Sequence, residues 1–353
     1  MGELNPIYKE LATKIGGENM EYVPKILAKV ATLEEAKILM EMPVKSIEEL
    51  AEKVKIDKAS LEQKLQILYE KGLVLPRKKG GYRTVYALTE LKDTTPSNPK
   101  FDEEYGEEFF SLWDEFFDSD EFRQWWENLP RDPNRTTPTM RVIPKWKSIK
   151  DVPGAMWFDD IRYLLKRRED KLGINNCSCR RVSRSHVPKE VPDEICFIEG
   201  ATSDFCVSRG SGKRITLQEA MDILEETEKL PLVHLTYNEK PMEHLLGNCG
   251  AYCVVWRWSE PGTLYEGNPS RFQATINPEL CLPGCKICVE ACEPFFKAVQ
   301  IKDYPEVGGD RAFIDIDKCW GCGNCVVQCP IGAISMKVVR PPEFVPDEYV
   351  GNY

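Results

Sequence analysis

The first 176 residues contain no cysteine, and the whole chain of 353 residues has only three histidines. No uninterrupted apolar run approaches the about 18 residues that a membrane-crossing helix needs, so no membrane insertion is expected. No G-x-G-x-x-G follows a strand and opens a helix, which removes the dinucleotide fingerprint. Gly210-Ser211-Gly212-Lys213-Arg214 lacks the Walker spacing and reads as a turn before a helix from Thr216, where Glu219 would complete a capping box. No nucleophile–base set stands out, which disfavours a stand-alone enzyme. The net charge of −10 excludes a chain whose business is coating nucleic acid and favours charged protein partners. Pro6 breaks the myristoylation pattern. Nothing at the N-terminus resembles a secretory signal, so disulfides are not expected and an anoxic or reducing cytoplasm is the expected compartment.

What the sequence does have is cysteine, fourteen in all and unevenly placed. Six lie between Cys177 and Cys253, and eight between Cys281 and Cys329. The last eight form two runs: Cys281-x3-Cys285-x2-Cys288-x3-Cys292-Glu-Pro, and Cys319-x2-Cys322-x2-Cys325-x3-Cys329-Pro. The second has the C-x2-C-x2-C-x3-C-P spacing in which three thiolates hold one iron–sulfur cube and the fourth crosses to another. That rule assigns Cys281, Cys285, Cys288 and Cys329 to one cluster, and Cys319, Cys322, Cys325 and Cys292 to a second. Gly284, Gly321 and Gly323 allow the loops to curl, since glycine tolerates positive φ. Trp320 and Ile331 are expected to shield the second cube. Zinc ribbons also pair C-x2-C motifs, but two four-cysteine runs of this spacing are not a zinc pattern.

The segment Cys319 to Pro330 resembles the dicluster bacterial-type ferredoxins throughout their motif, which implies two [4Fe-4S] clusters and electron transfer. The first run departs from the motif in two ways. One extra residue lies between Cys281 and Cys285, and Glu293 separates Cys292 from Pro294.

The N-terminal 93 residues read as helices followed by a hairpin. Val23 to Met40 carries apolar residues at helical spacing, Ser46 and Glu49 offer a capped helix to Val54, and Asp57 to Gly72 offers another with Leu61, Leu65, Leu68 and Tyr69 on one face. Leu73 to Pro76 and Tyr82 to Leu88 read as strands around a Lys-Lys-Gly-Gly turn. The order resembles winged helix-turn-helix domains. Acidic and basic residues balance over this stretch, and the candidate recognition helix has no arginine, so protein docking is favoured over DNA. Arg77, Lys78, Lys79 and Arg83 of the wing are the residues that could reach phosphate.

Thr94 to Lys100 has the composition of a linker. The segment after it interleaves Phe109, Phe110, Trp113, Phe116, Phe117, Phe122, Trp125 and Trp126 with carboxylates. It reads either as helices packed on their own protein or as an acidic aromatic surface for a partner subunit. In the middle of the chain, Cys177-x-Cys179-Arg180-Arg181, Cys196, Cys206, and Cys249-x3-Cys253 could gather a third metal site. Four of Cys177, Cys179, Cys196, Cys249 and Cys253 would hold a third [4Fe-4S] cluster or zinc, with Cys206 a buried spectator and the arginines offsetting charge. The alternative is that all six are reduced core cysteines. The Cys-x-Cys-Arg motif ahead of paired ferredoxin motifs resembles a family of anaerobic dicluster iron–sulfur proteins over about Arg141 to Lys337. His234, in an apolar strand, reads as a core histidine, and His186 and His244 carry little signal.

The fold class expected is α+β: a winged-helix domain (1–93), a linker with acidic aromatic helices (94–139), a cysteine-containing α+β middle domain (140–270), a dicluster ferredoxin-like domain (271–340) and an extended tail (341–353). The function expected is a cytoplasmic iron–sulfur electron-transfer protein or redox subunit serving a partner oxidoreductase. The alternatives are a reductase with its own metal-site chemistry in the middle domain, and a redox-sensing winged-helix regulator.

Overall fold

The structure is a computed structural model that describes residues 4–76, 81–85, 87–128, 140–167, 169–240, 245–253 and 267–347. Helix and strand are mixed, and no helix among the described residues is long and apolar enough to cross a membrane. The chain divides into two compact units: 1–126 with 175–186 and 205–213, and 127–174 with 187–204 and 214–353. This differs from the expected order of consecutive domains, because two pieces of the middle region belong with the N-terminal unit.

In the first unit the apolar run from Val23 is two helices, Tyr22–Val30 and Leu33–Met40, rather than one. The break is local chemistry. Thr32 Oγ1 accepts the Glu35 N–H at 3.2 Å while the Glu35 carboxylate accepts the Thr32 N–H at 2.7 Å, a reciprocal cap that starts a new helix. Ile47–Val54 follows, capped by Ser46, but Glu49 takes the N–H of Lys45 at 2.9 Å, one residue short of a closed box. Lys58–Lys71 starts at Asp57 and ends at Gly72, whose φ of +79° fits the left-handed turn. A Cβ at Gly72 would stand 2.5 Å from Thr94 Cβ, so the site also needs glycine for space.

The hairpin pairs Val74–Pro76 with Tyr82–Thr84. Its second strand is shorter than expected, because Leu88–Thr94 is a helix. Arg77, Lys78 and Lys79 lie outside the described residues. Arg83 forks onto Glu90 at 2.8 and 2.9 Å, so its guanidinium is committed within the fold.

Thr94 to Lys100 is not a linker. Thr95, Ser97 and Asn98 are buried, and Arg209 spends its guanidinium on the Thr94 carbonyl (2.9 and 3.1 Å) and Ser97 Oγ (2.9 Å) while Asn98 donates to the Arg209 carbonyl (2.7 Å). Buried backbone needs such partners, and they fix the segment. Asp102–Asp118 and Asp120–Glu127 then carry the aromatics. Phe109, Phe110, Trp113, Phe116, Phe117 and Phe122 are all buried, with Tyr22 against Phe116 at 5.8 Å. Their burial selects packing on the chain's own helices over a free aromatic surface for a partner.

In the second unit five strands run in the order Glu194–Ile198, Leu245–Cys249, Val233–Tyr237, Met140–Ile143, Gly267–Asn268, antiparallel except for the last pair. Helices Ile161–Lys166 and Leu217–Thr227 supply Leu164, Leu165, Ala220 and Leu224 to a core with Ile143 and Phe197. Thr216 caps the second helix through the expected box with Glu219. His234 is fully buried and meets Asn248 through Nδ1 at 2.6 Å; burial holds it down to about 3, so it is neutral. Gly173–Asn176 and Gly212–Arg214 carry residues of both units.

The buried, mutually packed rings of Asp102–Asp118 predict a local energetic centre. Phe116→Ala should cost about 3–5 kcal/mol, read as a lower urea midpoint for loss of tryptophan fluorescence.

Candidate metal centres

The C-terminal part is built from two copies of strand, loop, short helix, strand. The first runs Phe272–Ile276, Ile287–Cys292, Val299–Tyr304, and the second Gly309–Ile314, Asn324–Gln328, Ile334–Val338. Pairing crosses between the copies. Phe272 lies opposite Val338 and Ile276 opposite Ile334, while Val299 lies opposite Ile314 and Tyr304 opposite Gly309. Cys292 therefore leads into a strand that pairs with the one entering the second cysteine loop. Cys329 leads back to the strand that pairs with the one entering the first.

That topology puts the eight cysteines around two small cavities. One is lined by Cys281, Cys285, Cys288 and Cys329 with Ile276 and Ile334; the other by Cys292, Cys319, Cys322 and Cys325 with Phe296 and Trp320. Among the described residues no carboxylate or imidazole lines either cavity. Backbone donors turn toward the sulfurs: Ala274 N–H to Cys319 Sγ at 3.4 Å, Ala298 to Cys292 at 3.3 Å, Ala333 to Cys329 at 3.3 Å. Burial, then the neighbouring sulfurs, push the Cys322 thiol up to about 12 and the Cys288 thiol up to about 11. Four thiols crowded in an apolar enclosure ionise only when a cation takes their charge, and soft sulfur sets suit iron–sulfur clusters or zinc.

The two cavities differ in how they are closed. At the second, Gly321 and Gly323 have φ of +67° and +82°, and a Cβ at Gly321 would stand 2.1 Å from the Phe272 carbonyl oxygen. Trp320 is buried and stacks on Phe296 at 5.3 Å and 15°. Lys145, wholly buried, donates its N–H to the Cys322 carbonyl at 3.0 Å and its Nζ to the carbonyls of Glu228 and Leu230, both at 2.6 Å. The side chain of Asn324 is 1% exposed, lines the same cavity, and has neither amide atom partnered by protein. A buried amide without a partner costs free energy, so its presence fits an acceptor-rich group in that cavity.

At the first cavity Gly284 has φ +73° with nothing within 4 Å of a Cβ. The extra residue of this loop leaves Leu282, Pro283 and Gly284 exposed, and Cys285 and Cys329 are part-exposed. Ile331 lines this first cavity rather than the second, which corrects the expectation that it shields the same centre as Trp320. The reason is the crossing: residues just after Cys329 follow that cysteine to the first loop.

The other cysteines divide between the units. Cys177, Cys179 and Cys206 belong to the first; Cys196, Cys249 and Cys253 to the second. Within the second, Phe197 pairs with Leu246, which sets Cys196 opposite Gly247 on the face that carries Cys249. A Cβ at Gly247 would lie 2.9 Å from Cys249 Sγ, so the glycine makes room for that thiol. Arg181, expected to offset cluster charge, instead donates to the Pro96 carbonyl at 2.5 Å and to Asp102. His186, which carries little sequence signal, stands with Asp114 and Asp118, their ligand atoms within 4.8 Å of one another. Lys145 escapes motif reading, since only the fold brings its N–H to the Cys322 carbonyl, while Asn324 stands inside the second motif, before Cys325, without a spacing rule that marks its amide.

Comparison with known proteins agrees with the geometry. Residues 280–333 match the family described as 4Fe-4S dicluster domain, which indicates 4Fe-4S cluster binding there. The chain is 38% identical over 60 residues to indolepyruvate oxidoreductase subunit IorA of Pyrococcus horikoshii, covering 16% of this chain and 8% of that protein. It is 22% identical over 215 residues to coenzyme F420 hydrogenase subunit gamma of Methanococcus voltae, covering 56% of this chain and 79% of the relative. No solved structure matches.

The glycine geometry sets an asymmetric expectation. Gly321→Val should lose the second centre, roughly halving the iron of the purified protein, since each cube carries four irons. Gly284→Ala, whose Cβ points into open space, should keep its iron and cost only about 1–2 kcal/mol of backbone strain.

Proposed function

We propose that this chain is an iron–sulfur redox subunit that passes single electrons through two [4Fe-4S] clusters to or from a partner oxidoreductase. Cys281, Cys285, Cys288 and Cys329 would hold the first and Cys319, Cys322, Cys325 and Cys292 the second. The observation that carries the reading is the crossing of the strand pairs, which delivers one cysteine of each run to the other run's cavity and makes two four-thiol sets. Both named relatives are oxidoreductase subunits, which supports service to a larger assembly. The activities of those assemblies are not carried over.

The clusters supply one-electron chemistry, and the protein sets where and at what potential it runs. Backbone N–H groups at the thiol sulfurs stabilise added negative charge. Phe296 and Trp320 keep water from the second cavity. The Asn324 amide and the buried Lys145 are favourable partners for a centre that becomes more negative on reduction. The N-terminal helices and hairpin are read as a winged-helix-like docking element for protein, with DNA disfavoured. The remaining cysteines are read as thiols outside the two-cluster relay, and the same experiment tests them.

That experiment is anaerobic purification with iron and sulfide counted per chain. About eight irons is the expected value; about twelve would assign a third cluster to the Cys177–Cys253 group, and zinc in place of iron would sink the relay. Asn324→Leu should keep full iron. It should move one midpoint negative by an amount on the order of 60 mV, a tenfold change in a one-electron equilibrium, in an EPR-monitored redox titration.

A further inference from the structure

Among the described residues eleven large apolar side chains are exposed, and four of them crowd one spot. Leu282 (49%), Ile287 (42%) and Ile331 (41%) line the first cavity, and Leu280 (55%) directly precedes Cys281. Corresponding positions of the second loop are closed: Trp320 is 5% exposed, and Gly321 is buried against Phe272. The difference traces to the residue inserted between Cys281 and Cys285. It lengthens the loop and leaves Leu282 and Pro283 in solvent, where the second loop has no spare residue. Solvent exposure of apolar groups at a rim is costly unless something covers it.

We infer that this apolar collar is the docking surface for a redox protein that exchanges electrons at the first centre, and that the partner presents an apolar patch with a basic rim. The occupant follows from what the collar surrounds. The cavity behind it belongs to a one-electron centre, two of whose thiolates, Cys285 and Cys329, are part-exposed, so the body that seats here is brought close to the place where an electron can leave. The charge follows from the flanks. Within the segment from Glu279 to Glu293, which carries Leu280, Leu282 and Ile287 of the collar, three carboxylates (Glu279, Glu290 and Glu293) are exposed against one cation, Lys286, so this segment is acidic. Opposite charge at the edge steers approach, and apolar contact at the centre holds the pair. Among the described residues the second centre, lined by the buried Phe296 and Trp320, has no such cluster of exposed apolar side chains. The inference rests on the two-cluster reading and adds which centre faces outward and to what.

The step it predicts is simple in balance: one electron leaves the reduced protein and turns a ferric haem ferrous, with no bond made and no proton moved. Ferric cytochrome c, a basic protein with an exposed haem edge, is the probe, and ferricyanide is the small acceptor that needs no docking. The donor is the iron-loaded full chain reduced with dithionite and freed of excess reductant. Leu280→Ser, in the collar but outside the cavity lining, should slow cytochrome c reduction about tenfold, as expected where central apolar contacts are lost, and leave ferricyanide reduction unchanged. Added salt should slow the wild-type reaction with cytochrome c, and Glu279→Gln with Glu293→Gln should flatten that salt dependence. Leu280→Met should keep the wild-type rate. Equal loss with both acceptors, or no loss with either, overturns the proposal. So does a wild-type dimer in sedimentation that Leu280→Ser dissolves, because it gives the collar to a second copy. Iron content is read first in every variant. A wild-type chain without iron overturns the two-cluster reading itself, before any rate is measured.

Discussion

Like charges gathered in a place without water are the constraint that shapes the C-terminal half. Eight sulfurs stand in two groups of four, and at Cys288 and Cys322 burial first and neighbouring sulfurs second push the thiol up. Such a set is stable as thiols or as thiolates around a multivalent cationic core, and stable as nothing between. The surrounding features serve the second state. Backbone N–H groups turn to the sulfurs, strand pairing crosses so that each set is complete, and carboxylates stay out of the linings.

The same chemistry is housed in two ways. The second centre is closed by aromatic stacking, by glycines that let the loop press against the Phe272 carbonyl, and by Lys145 from the neighbouring sheet. The first is closed only in part. One inserted residue is enough to open it, because a cysteine loop is so tight that an additional residue has nowhere to go but outward. Two copies of one supersecondary unit thereby acquire different surroundings.

The cysteine runs were the most legible part of the chain, because thiol spacing on a tight loop is a local property. Which four thiols share a cavity follows from strand pairing, and the crossing rule anticipates that. Local caps were legible too: Thr216 with Glu219, and Asp57 with Gly72. The continuous helix expected from Val23 to Met40 was misleading, since the apolar period persists across the Thr32 break and only the side-chain cap reveals it. Thr94 to Lys100 looked like a linker because Thr, Ser, Asn and Pro populate loops. Its burial depends on Arg209, more than a hundred residues away in sequence. The aromatics of Asp102–Asp118 were seen, but whether they faced outward could not be read from period alone. Asn324 sits at a spacer position of the second motif and acquires meaning only from its burial in the cavity, and Lys145 only from the chain path that brings it to the Cys322 carbonyl.

Lys145 has a further consequence. Its main chain holds the Cys322 carbonyl, its Nζ holds two carbonyls beyond Thr227, and Ser148 lies so close to Gly323 that a Cβ there would meet its hydroxyl at 2.2 Å. Arg271 and Asp159, paired at 2.6 Å with both side chains almost wholly inaccessible, make a second tether from the same neighbourhood. The cluster-bearing segment is thus not a detachable module. Excised at its apparent boundary, it would leave one wall behind and bare its more protected centre to water and oxygen.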